Sequence, residues 1–392
     1  MSIKLSEGVY WIGVFDWKLK VFHGIATPKG GTYNSYLIKD GEVAVIDATY
    51  DPFFEDFMAG LLSLTDPAKV RYLIVNHAEP DHSSGIKRFL SIAKDVSIVC
   101  TARCKEFLGR MDVQGKFLVV REGGTLKVGG KTLRFFEAPM LHWPEVMWTF
   151  LEEERILFPC DMFGAQVIES TMRAEEVGDM EAHAKRYYAF IFRPLVAAVL
   201  NGLEKVEGLA PTMICPSHGP VWRDVARIQK LWREWSTKPE KDKVLIVYSS
   251  IWGDVDKMAR AIADGVQSTG AQVVIREVGD LNWSGWADLL ADAMESKAIA
   301  LGSLTVLGGI FPQLLYATML LRLVRAKGKT GFSFGAYGWG PGVTKKLDEE
   351  LRAIEAMPYR EGIEARFTPT EKDLQLCREV GRELGERIKG VS

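Results

Sequence analysis

The sequence predicts two domains, a strand-rich α+β domain followed by an α/β domain with a doubly wound parallel sheet. The first observation is the length of 392 residues, which is enough for two separate cores. The second is a charged stretch at 235–243 without a periodic apolar face, which is typical of a linker. The third is that short β-branched runs alternate with amphipathic helices beyond this stretch. We therefore expect domains at 1–241 and 242–392.

Composition excludes several classes of protein. Apolar residues make up 47% and charged residues 26%, as in soluble globular proteins, and no apolar run is long enough to cross a membrane. The formal net charge of -2 argues against a nucleic-acid-binding protein, which needs a basic surface. The five cysteines are scattered and odd in number, which favours a reducing compartment. We expect a cytoplasmic protein that binds neither nucleic acid nor membrane.

In the first domain, short strands end in polar loops. Residues 31–50 predict two strands joined by a turn at 39–41, and 72–75 predicts a strand that opens into a polar loop and then a helix from Gly85. Two glycines at 129 and 130 indicate a hairpin, and a long helical section extends to Glu207. A further strand ends at Cys215.

In the second domain, the runs 244–248, 273–275, 298–301 and 332–336 predict the strands of the parallel sheet. A helix is expected to begin at about Asp254.

Candidate metal ligands cluster after the strand at 72–75. Four of them, His77, Glu79, Asp81 and His82, fall within six residues, on a loop whose side chains can converge. Taken alone, the loop could equally be an exposed polar turn, because Glu, Pro and Asp favour such positions. Three more candidates, however, follow apolar runs elsewhere in this domain: His142, Asp161 and His218. Repeated placement at strand ends is what a metal site along one edge of a sheet sandwich needs.

These segments resemble the metallo-β-lactamase superfamily and, within it, the flavodiiron proteins (A-type flavoproteins). The motifs are His-Ala-Glu-Pro-Asp-His at 77–82, Met-Leu-His-Trp-Pro at 140–144, Asp-Met-Phe-Gly at 161–164 and Pro-Ser-His-Gly at 216–219. Glu79 stands where other branches of the superfamily have histidine, and this difference is typical of flavodiiron proteins. The resemblance implies an αββα sandwich.

The resemblance also implies two irons. One would be bound by His77, Glu79 and His142, the other by Asp81, His82 and His218, and Asp161 would bridge them. Such a mixed nitrogen and oxygen set suits iron or manganese as well as zinc.

Other residues near the motifs have less specific roles. Asp47 would orient a ligand histidine or cap a turn, and His183 is expected to be structural or exposed. His23 and Trp143 are expected to line the pocket. Met140 and Phe163 could join Trp143 in an apolar wall, or belong to the core.

Three loops of the second domain follow strands on the same edge of the sheet and resemble the FMN site of flavodoxins. The residues expected to bind FMN are Ser249, Ser250, Ile251, Trp252, Gly253, Asp254, Val255, Ser303, Leu304, Thr305, Val306, Leu307, Gly308, Ala336, Tyr337, Gly338, Trp339, Gly340 and Gly342. Asp254 and Val255 stand where family members carry Ser or Thr, so we expect weaker FMN binding than usual. A flavodoxin-like domain without flavin is the alternative.

Together the halves imply a flavodiiron oxidoreductase that reduces dioxygen to water, nitric oxide to nitrous oxide, or both. The family implies a head-to-tail homodimer, or a dimer of such dimers. Because paired Cys-x-x-Cys motifs are absent, a separate donor is expected, rubredoxin or reduced coenzyme F420.

Two alternatives remain. One is a zinc-dependent hydrolase of the same superfamily, against which Glu79 and the attached domain argue. The other is an electron-transfer or sensory flavoprotein with a vestigial metal site, against which the intact ligand set argues. Metal analysis distinguishes a zinc hydrolase from an iron oxidoreductase.

Overall fold

The computed structural model of the chain describes residues 1–23, 25–27, 29–280, 283–324 and 326–390. The contacts between its residues divide the chain into two compact units. The first comprises Met1–Phe22 and Thr27–Ser236, and the second comprises Thr237–Ser392 together with the segment His23–Ala26.

The first unit is an αββα sandwich, as expected. Its strands are β1 (Ile3–Ser6), β2 (Val9–Trp11), β3 (Val14–Asp16), β4 (Val21–Phe22), β6 (Gly31–Tyr33), β7 (Tyr36–Asp40), β8 (Glu42–Ile46), β9 (Val70–Ile74), β10 (Ser97–Cys100), β11 (Lys116–Val119), β12 (Thr125–Val128), β13 (Lys131–Glu137), β14 (Met147–Leu151), β15 (Ile156–Phe158) and β16 (Met213–Ile214). Its helices are α1 (Phe54–Leu62), α2 (Pro80–Ser83), α3 (Ile86–Ile92), α4 (Ala102–Arg110), α5 (Met180–Tyr187), α6 (Val196–Leu209) and α7 (Val225–Thr237).

Two sheets form the middle layers, in the orders β1-β2-β7-β8-β9-β10-β11 and β12-β13-β14-β15-β16. Alternate residues of the strands face inward, so side chains of both sheets form one shared core, including Trp11, Ile46, Phe135 and Phe158. Helices α1, α3 and α4 cover the other face of the first sheet. On the outer face of the second sheet, Gly202 of α6 lies against Trp148 of β14.

The predicted long helical section is interrupted. A π turn at Tyr188–Phe192 and a 3-10 turn at Arg193–Leu195 separate α5 from α6. Proline at 194 contributes to this break because it has no N–H to donate within a helix.

The second unit contains β5 (Ile25–Ala26), β17 (Lys241–Tyr248), β18 (Gln272–Glu277), β19 (Ser296–Leu304), β20 (Thr330–Tyr337), β21 (Met357–Pro358) and β22 (Ile363–Arg366). Its helices are α8 (Asp254–Ser268), α9 (Trp283–Glu295), α10 (Pro312–Leu321), α11 (Val343–Ala353) and α12 (Glu371–Ile388). The sheet order is β18-β17-β19-β20-β21, with β22 also paired to β20, and all pairings are parallel. This is the doubly wound, flavodoxin-like order that the sequence predicted.

The expected linker is shorter than predicted. Helix α7 continues to Thr237 and β17 begins at Lys241, so only 238–240 lie between them. The charges around 241–243 suggested a solvated segment, but Lys241 and Lys243 each lie 2.8 Å from a carboxylate oxygen of Glu295. Their charges are therefore paired within the sheet and its covering helix.

No helix within the described residues combines the length and apolar character needed to cross a membrane.

Candidate metal centre and flavin site

The candidate ligand loop is buried. After β9, His77 is fully buried and the chain turns into the one-turn helix α2, whose first residue is Pro80. Proline suits this position because its φ is already helical and it has no N–H to satisfy. Glu79 caps α2, and Asp81 and His82 lie within its turn, so the loop is not the exposed polar turn.

Asp161 lies between two groups of ligands. Its Oδ2 is 3.6 Å from the Nε2 atoms of both His77 and His142. Its Oδ1 is 3.3 Å from His82 Nε2 and 3.2 Å from His218 Nε2. One carboxylate oxygen therefore faces each group, which is the arrangement required of a bridging ligand.

Glu79 completes the first group. Its Oε2 is 3.1 Å from His77 Nε2 and 3.2 Å from His142 Nε2. Metal–ligand distances of about 2.0–2.2 Å place neighbouring donor atoms about 3.0–3.5 Å apart. The spacing in this group therefore fits donors that share one ion.

Asp81 completes the second group. Its Oδ1 is 3.5 Å from His82 Nε2 and its Oδ2 is 3.2 Å from His218 Nε2. Both Asp81 oxygens and His82 Nε2 are buried and have no hydrogen-bond partner among the described residues. Because buried polar atoms are nearly always satisfied, these three atoms point to a bound cation, and the residues present fit two metal ions.

The second ring nitrogen of two histidines is held by a hydrogen bond. His77 Nδ1 lies 2.6 Å from Glu145 Oε1, and His218 Nδ1 lies 2.7 Å from the carbonyl oxygen of Thr32. Such bonds present Nε2 to the metal. Asp47 is more distant, with Oδ2 3.7 Å from His82 Nδ1, while its Oδ1 accepts from the Asn76 amide.

Glu145 was not found from the sequence. It is almost fully buried, and its Oε1 also accepts from the Ala78 amide at 3.1 Å. Burial raises the pKa of Glu145, but the hydrogen bonds from His77 and Ala78 outweigh it and hold the pKa below its ordinary value. In the sequence, Glu145 could have been noticed as an acidic residue two positions before the apolar strand β14.

The carboxylates and histidines of the site shift one another's pKa. Burial lowers the pKa of His77 and His218, but the neighbouring carboxylates outweigh it and raise both to about 9. Burial raises the pKa of Asp161, yet the surrounding histidines hold it well below its ordinary value. The histidines and carboxylates of the site therefore stabilise each other's charged forms.

The residues expected near the pocket differ in position. The Trp143 ring lies 5.1 Å from the His77 ring in an edge contact. Met140 is partly exposed, whereas Phe163 is buried against Trp232 and belongs to the core.

The two remaining histidines also differ. His183 is buried, in accord with a structural role, whereas His23 is an exposed residue of the segment His23–Ala26.

Tyr187 was also missed by the sequence analysis. It is buried, and its hydroxyl donates to Asp161 Oδ1 at 3.3 Å. Burial and the nearby Asp161 raise the pKa of Tyr187 well above its ordinary value, so this hydroxyl keeps its proton.

In the second unit, a cavity of about 720 Å³ lies at the carboxyl ends of β17, β19 and β20. It is lined by Trp252, Asp254, Leu304, Thr305, Val306, Leu307, Gly308, Ala336, Tyr337, Gly338, Trp339, Gly340, Pro341 and Phe367. Twelve of these were among the predicted flavin residues, whereas Pro341 and Phe367 were not. Trp339 and Trp252 are 92% and 86% exposed, which suits rings that stack on a ligand.

The other predicted flavin residues surround this cavity without lining it. Ser249 is buried, and its hydroxyl has no partner within the described chain, as is also true of the Thr305 hydroxyl. Gly253, with φ of 82°, donates its N–H to Ser250 Oγ at 3.1 Å. Two unsatisfied hydroxyls beside a cavity with exposed tryptophans fit a flavin.

The last four of these residues have other positions. Ile251 is half exposed, and Val255, a residue of α8, is buried in the core. The Ser303 hydroxyl donates to the carbonyl of Leu304, and the Gly342 amide donates to the carboxylate of Glu364.

The fold and these sites define a metallo-β-lactamase-like domain joined to a flavodoxin-like domain, and comparison with known proteins agrees. A family model described as ODP family beta lactamase matches residues 32–219, and a flavodoxin model matches 246–381. A nitric oxide reductase from Moorella thermoacetica is 36% identical over 98% of both chains. The crystal structure of the flavodiiron protein from Giardia intestinalis superposes with a TM-score of 0.96 at 32% identity, covering 100% of this chain and 97% of that one. Rubredoxin oxygen:oxidoreductase from Desulfovibrio gigas gives a TM-score of 0.95 at 26% identity, covering 100% and 99%.

The chain belongs to the flavodiiron protein family. It is an oxidoreductase whose cofactors are a non-haem di-iron centre and FMN, in agreement with the fit of both sites.

Proposed function

We propose that this chain reduces dioxygen to water, nitric oxide to nitrous oxide, or both, with electrons that pass through FMN to the di-iron centre. The names of its relatives, a nitric oxide reductase and a rubredoxin oxygen:oxidoreductase, support both substrates. The main structural support is Asp161, which directs one oxygen toward each ligand group.

The proposal assigns one iron to His77, Glu79 and His142, and the other to Asp81, His82 and His218, with Asp161 as the bridge. When bound, the pair of irons would supply two electrons and the flavin two more, and the irons would bind the small substrate. Four electrons match the reduction of dioxygen to water and exceed the two needed to couple two molecules of nitric oxide.

Neighbouring residues hold the site in place. Glu145 and the Thr32 carbonyl orient two histidine rings. The Tyr187 hydroxyl keeps a proton at 3.3 Å from Asp161 Oδ1, where it can stabilise negative charge on that oxygen. Trp143 covers the edge of His77 and excludes water from that side.

In the flavin site, the exposed rings of Trp252 and Trp339 would stack near the isoalloxazine, and the loops of β17, β19 and β20 would hold the rest of FMN. We propose a separate electron donor, rubredoxin or reduced coenzyme F420. The name of the Desulfovibrio gigas relative supports rubredoxin.

We also propose a head-to-tail homodimer, alone or paired into a dimer of dimers, in which each flavin serves the irons of the partner. Electron transfer falls steeply with distance, and the two cofactors belong to separate units. The proposed domains are 1–241 and 242–392. A cytoplasmic location is supported by the five cysteines, which are all free and buried.

Reduction stoichiometry tests the proposed reaction. Protein purified without oxygen should contain about two irons and one FMN per chain. When the fully reduced protein receives dioxygen, one molecule should reoxidise about one chain without releasing hydrogen peroxide. The metal-free variant Asp161→Ala is the control, because reduced flavin alone should form peroxide. Zinc without flavin would refute the proposal.

Mixing two variants tests the dimer. Asp161→Ala removes the metal centre, and a second chain retains it but has its flavin cavity blocked by Gly338→Trp at a lining residue. Neither chain alone should be active, but a head-to-tail heterodimer pairs an intact flavin with an intact metal centre. Absence of recovered activity in confirmed heterodimers would contradict this arrangement.

A further inference from the structure

The flavin cavity is lined by an acidic side chain. Among the cavity-lining residues in the described chain, Asp254 is the only one with a charged side chain. A phosphate monoester carries a charge of about -1.5 to -2 at neutral pH. The cavity therefore offers a carboxylate, and no cation, to a ligand that is itself an anion.

The start of α8 does not compensate for this charge. A helix N-terminus attracts anions through its free amides and its dipole. Here, however, Asp254 and Asp256 occupy the first turn of α8. These two carboxylates share the positive end of the helix dipole with any phosphate bound there, and together with their basic partners they leave the turn without net positive charge.

The basic side chains near this turn are paired with those carboxylates. Lys257 Nζ lies 3.6 Å from Asp254 Oδ1, and Arg260 Nε lies 2.8 Å from Asp256 Oδ2. Tyr248 also donates a hydrogen bond to Asp256. Both cations therefore have acidic partners on their own helix before any ligand binds.

The hydroxyl groups that could replace this electrostatic attraction are few. Ser250 Oγ already accepts the Gly253 N–H, and Val255 is only 1% exposed and packs into the core under α8. Ser250 can still donate its own O–H, and Ser249 Oγ is buried without a partner among the described residues, so two hydroxyls of this loop are open to a phosphate.

We infer that Asp254 determines flavin specificity. Its negative charge cancels most of the binding affinity that FMN would gain over riboflavin through its phosphate. This inference rests on the proposed flavin site. The chain binds the isoalloxazine through Trp252, Trp339 and the apolar walls, and it binds riboflavin with an affinity within about tenfold of that for FMN. Replacing Asp254 by a neutral residue restores a preference for FMN.

Flavin titrations test this inference. The flavin is removed from the full-length protein, and FMN or riboflavin is added while quenching of flavin fluorescence gives the dissociation constant. Wild type should show a ratio of riboflavin to FMN dissociation constants below about ten. Asp254→Asn and Asp254→Ser should each raise this ratio by about tenfold, equivalent to about 1.4 kcal/mol, through tighter FMN binding alone.

Asp264→Asn is the matched control. Asp264 lies on the same helix, is exposed, and is ten residues from Asp254, which is about 15 Å along the helix axis. This variant changes the net charge equally and should leave both dissociation constants unchanged. Far-ultraviolet circular dichroism and the melting temperature establish that each variant is folded.

The outcomes separate the inference from the proposed function. A wild-type preference for FMN above about a hundredfold, or an unchanged ratio in both Asp254 variants, overturns the inference while the flavodiiron function stands. If wild type binds neither flavin, both the inference and the proposed function fail. Equal tightening of FMN by the Asp264 control also overturns it, because net charge would then be the cause.

Discussion

Replacing Glu145 by glutamine tests how the metal centre is held in position. Glu145 Oε1 accepts from His77 Nδ1 at 2.6 Å and from the Ala78 amide at 3.1 Å, in a fully buried environment. Glutamine keeps the size of the side chain but removes its charge, so a charge-assisted hydrogen bond becomes a neutral one. Its new NH₂ group would also occupy the position of Oε2, which has no partner among the described residues.

The expected loss can be estimated from these contacts. Hydrogen bonds to charged groups contribute about 1.5–3 kcal/mol, roughly twice the neutral value. Loss of a partner that holds a metal-bound histidine typically lowers metal affinity about 10- to 100-fold, or about 1.4–2.7 kcal/mol. We therefore expect the Glu145→Gln variant to bind iron about 10- to 100-fold more weakly while flavin content is unchanged.

The assay is a competition between the protein and a chelator of known iron affinity, with bound iron measured after equilibration. Glu137→Gln is the matched control, since it removes the same charge from an exposed position at the end of β13. If both variants retain iron equally well at every chelator concentration, the proposed role of Glu145 is wrong.

Three further predictions concern protons, a hydroxyl and a helix contact. The raised pKa of about 9 of His77 and His218 stabilises the metal-free fold below about pH 6.5, and this contribution is lost as the pH rises through 9. Iron must displace these protons, so iron affinity should increase between about pH 6.5 and 9, with proton release measurable in weak buffer. Tyr187→Phe should lose about 1 kcal/mol of stability and slow turnover while iron content stays constant, as measured by thermal unfolding and oxygen uptake. Gly381→Ala should destabilise the flavodoxin-like unit by about 2–3 kcal/mol in urea unfolding, because its Cβ would lie 2.0 Å from a backbone oxygen of α8. The control Gly208→Ala, whose Cβ would meet nothing within 4 Å, should be neutral or slightly stabilising.

The fold could be predicted from the sequence where local patterns determine it. Each of the four runs predicted as parallel strands lies within β17, β18, β19 or β20. The central strands β17, β19 and β20 are buried on both faces and have nearly continuous apolar sequences, whereas the edge strand β18 was recognised by its β-branched residues. The linker was overestimated because ion pairs such as Lys243 with Glu295 connect residues 52 positions apart in sequence. In the sequence, a charged run exposed to solvent cannot be told from one whose charges form ion pairs until the partner residues are known.

The site shows the same limit. Candidate ligands were recognisable because histidine and aspartate recur directly after apolar strands, at an edge where strand ends meet. Glu145 and Tyr187 were not, since they act through contacts with residues 68 and 26 positions away. A tyrosine is common in a protein core and a glutamate is common on the surface, so only the tertiary fold shows the roles of these two residues.

The metal centre brings carboxylates and histidines into close contact. Glu79, Asp81 and Asp161 are buried, and uncompensated buried carboxylates would cost several kcal/mol each. His77, His82 and His218 have raised pKa values, and each has an oxygen of Asp161 within 3.6 Å. Metal ions that bind these donors would displace the protons of the histidines. The flavin cavity has no comparable compensation, because the one charged side chain among its described lining residues has the same sign as the phosphate of FMN. The two cofactors are consequently held by different physical means, the irons by charge and the flavin mainly by contact with its rings.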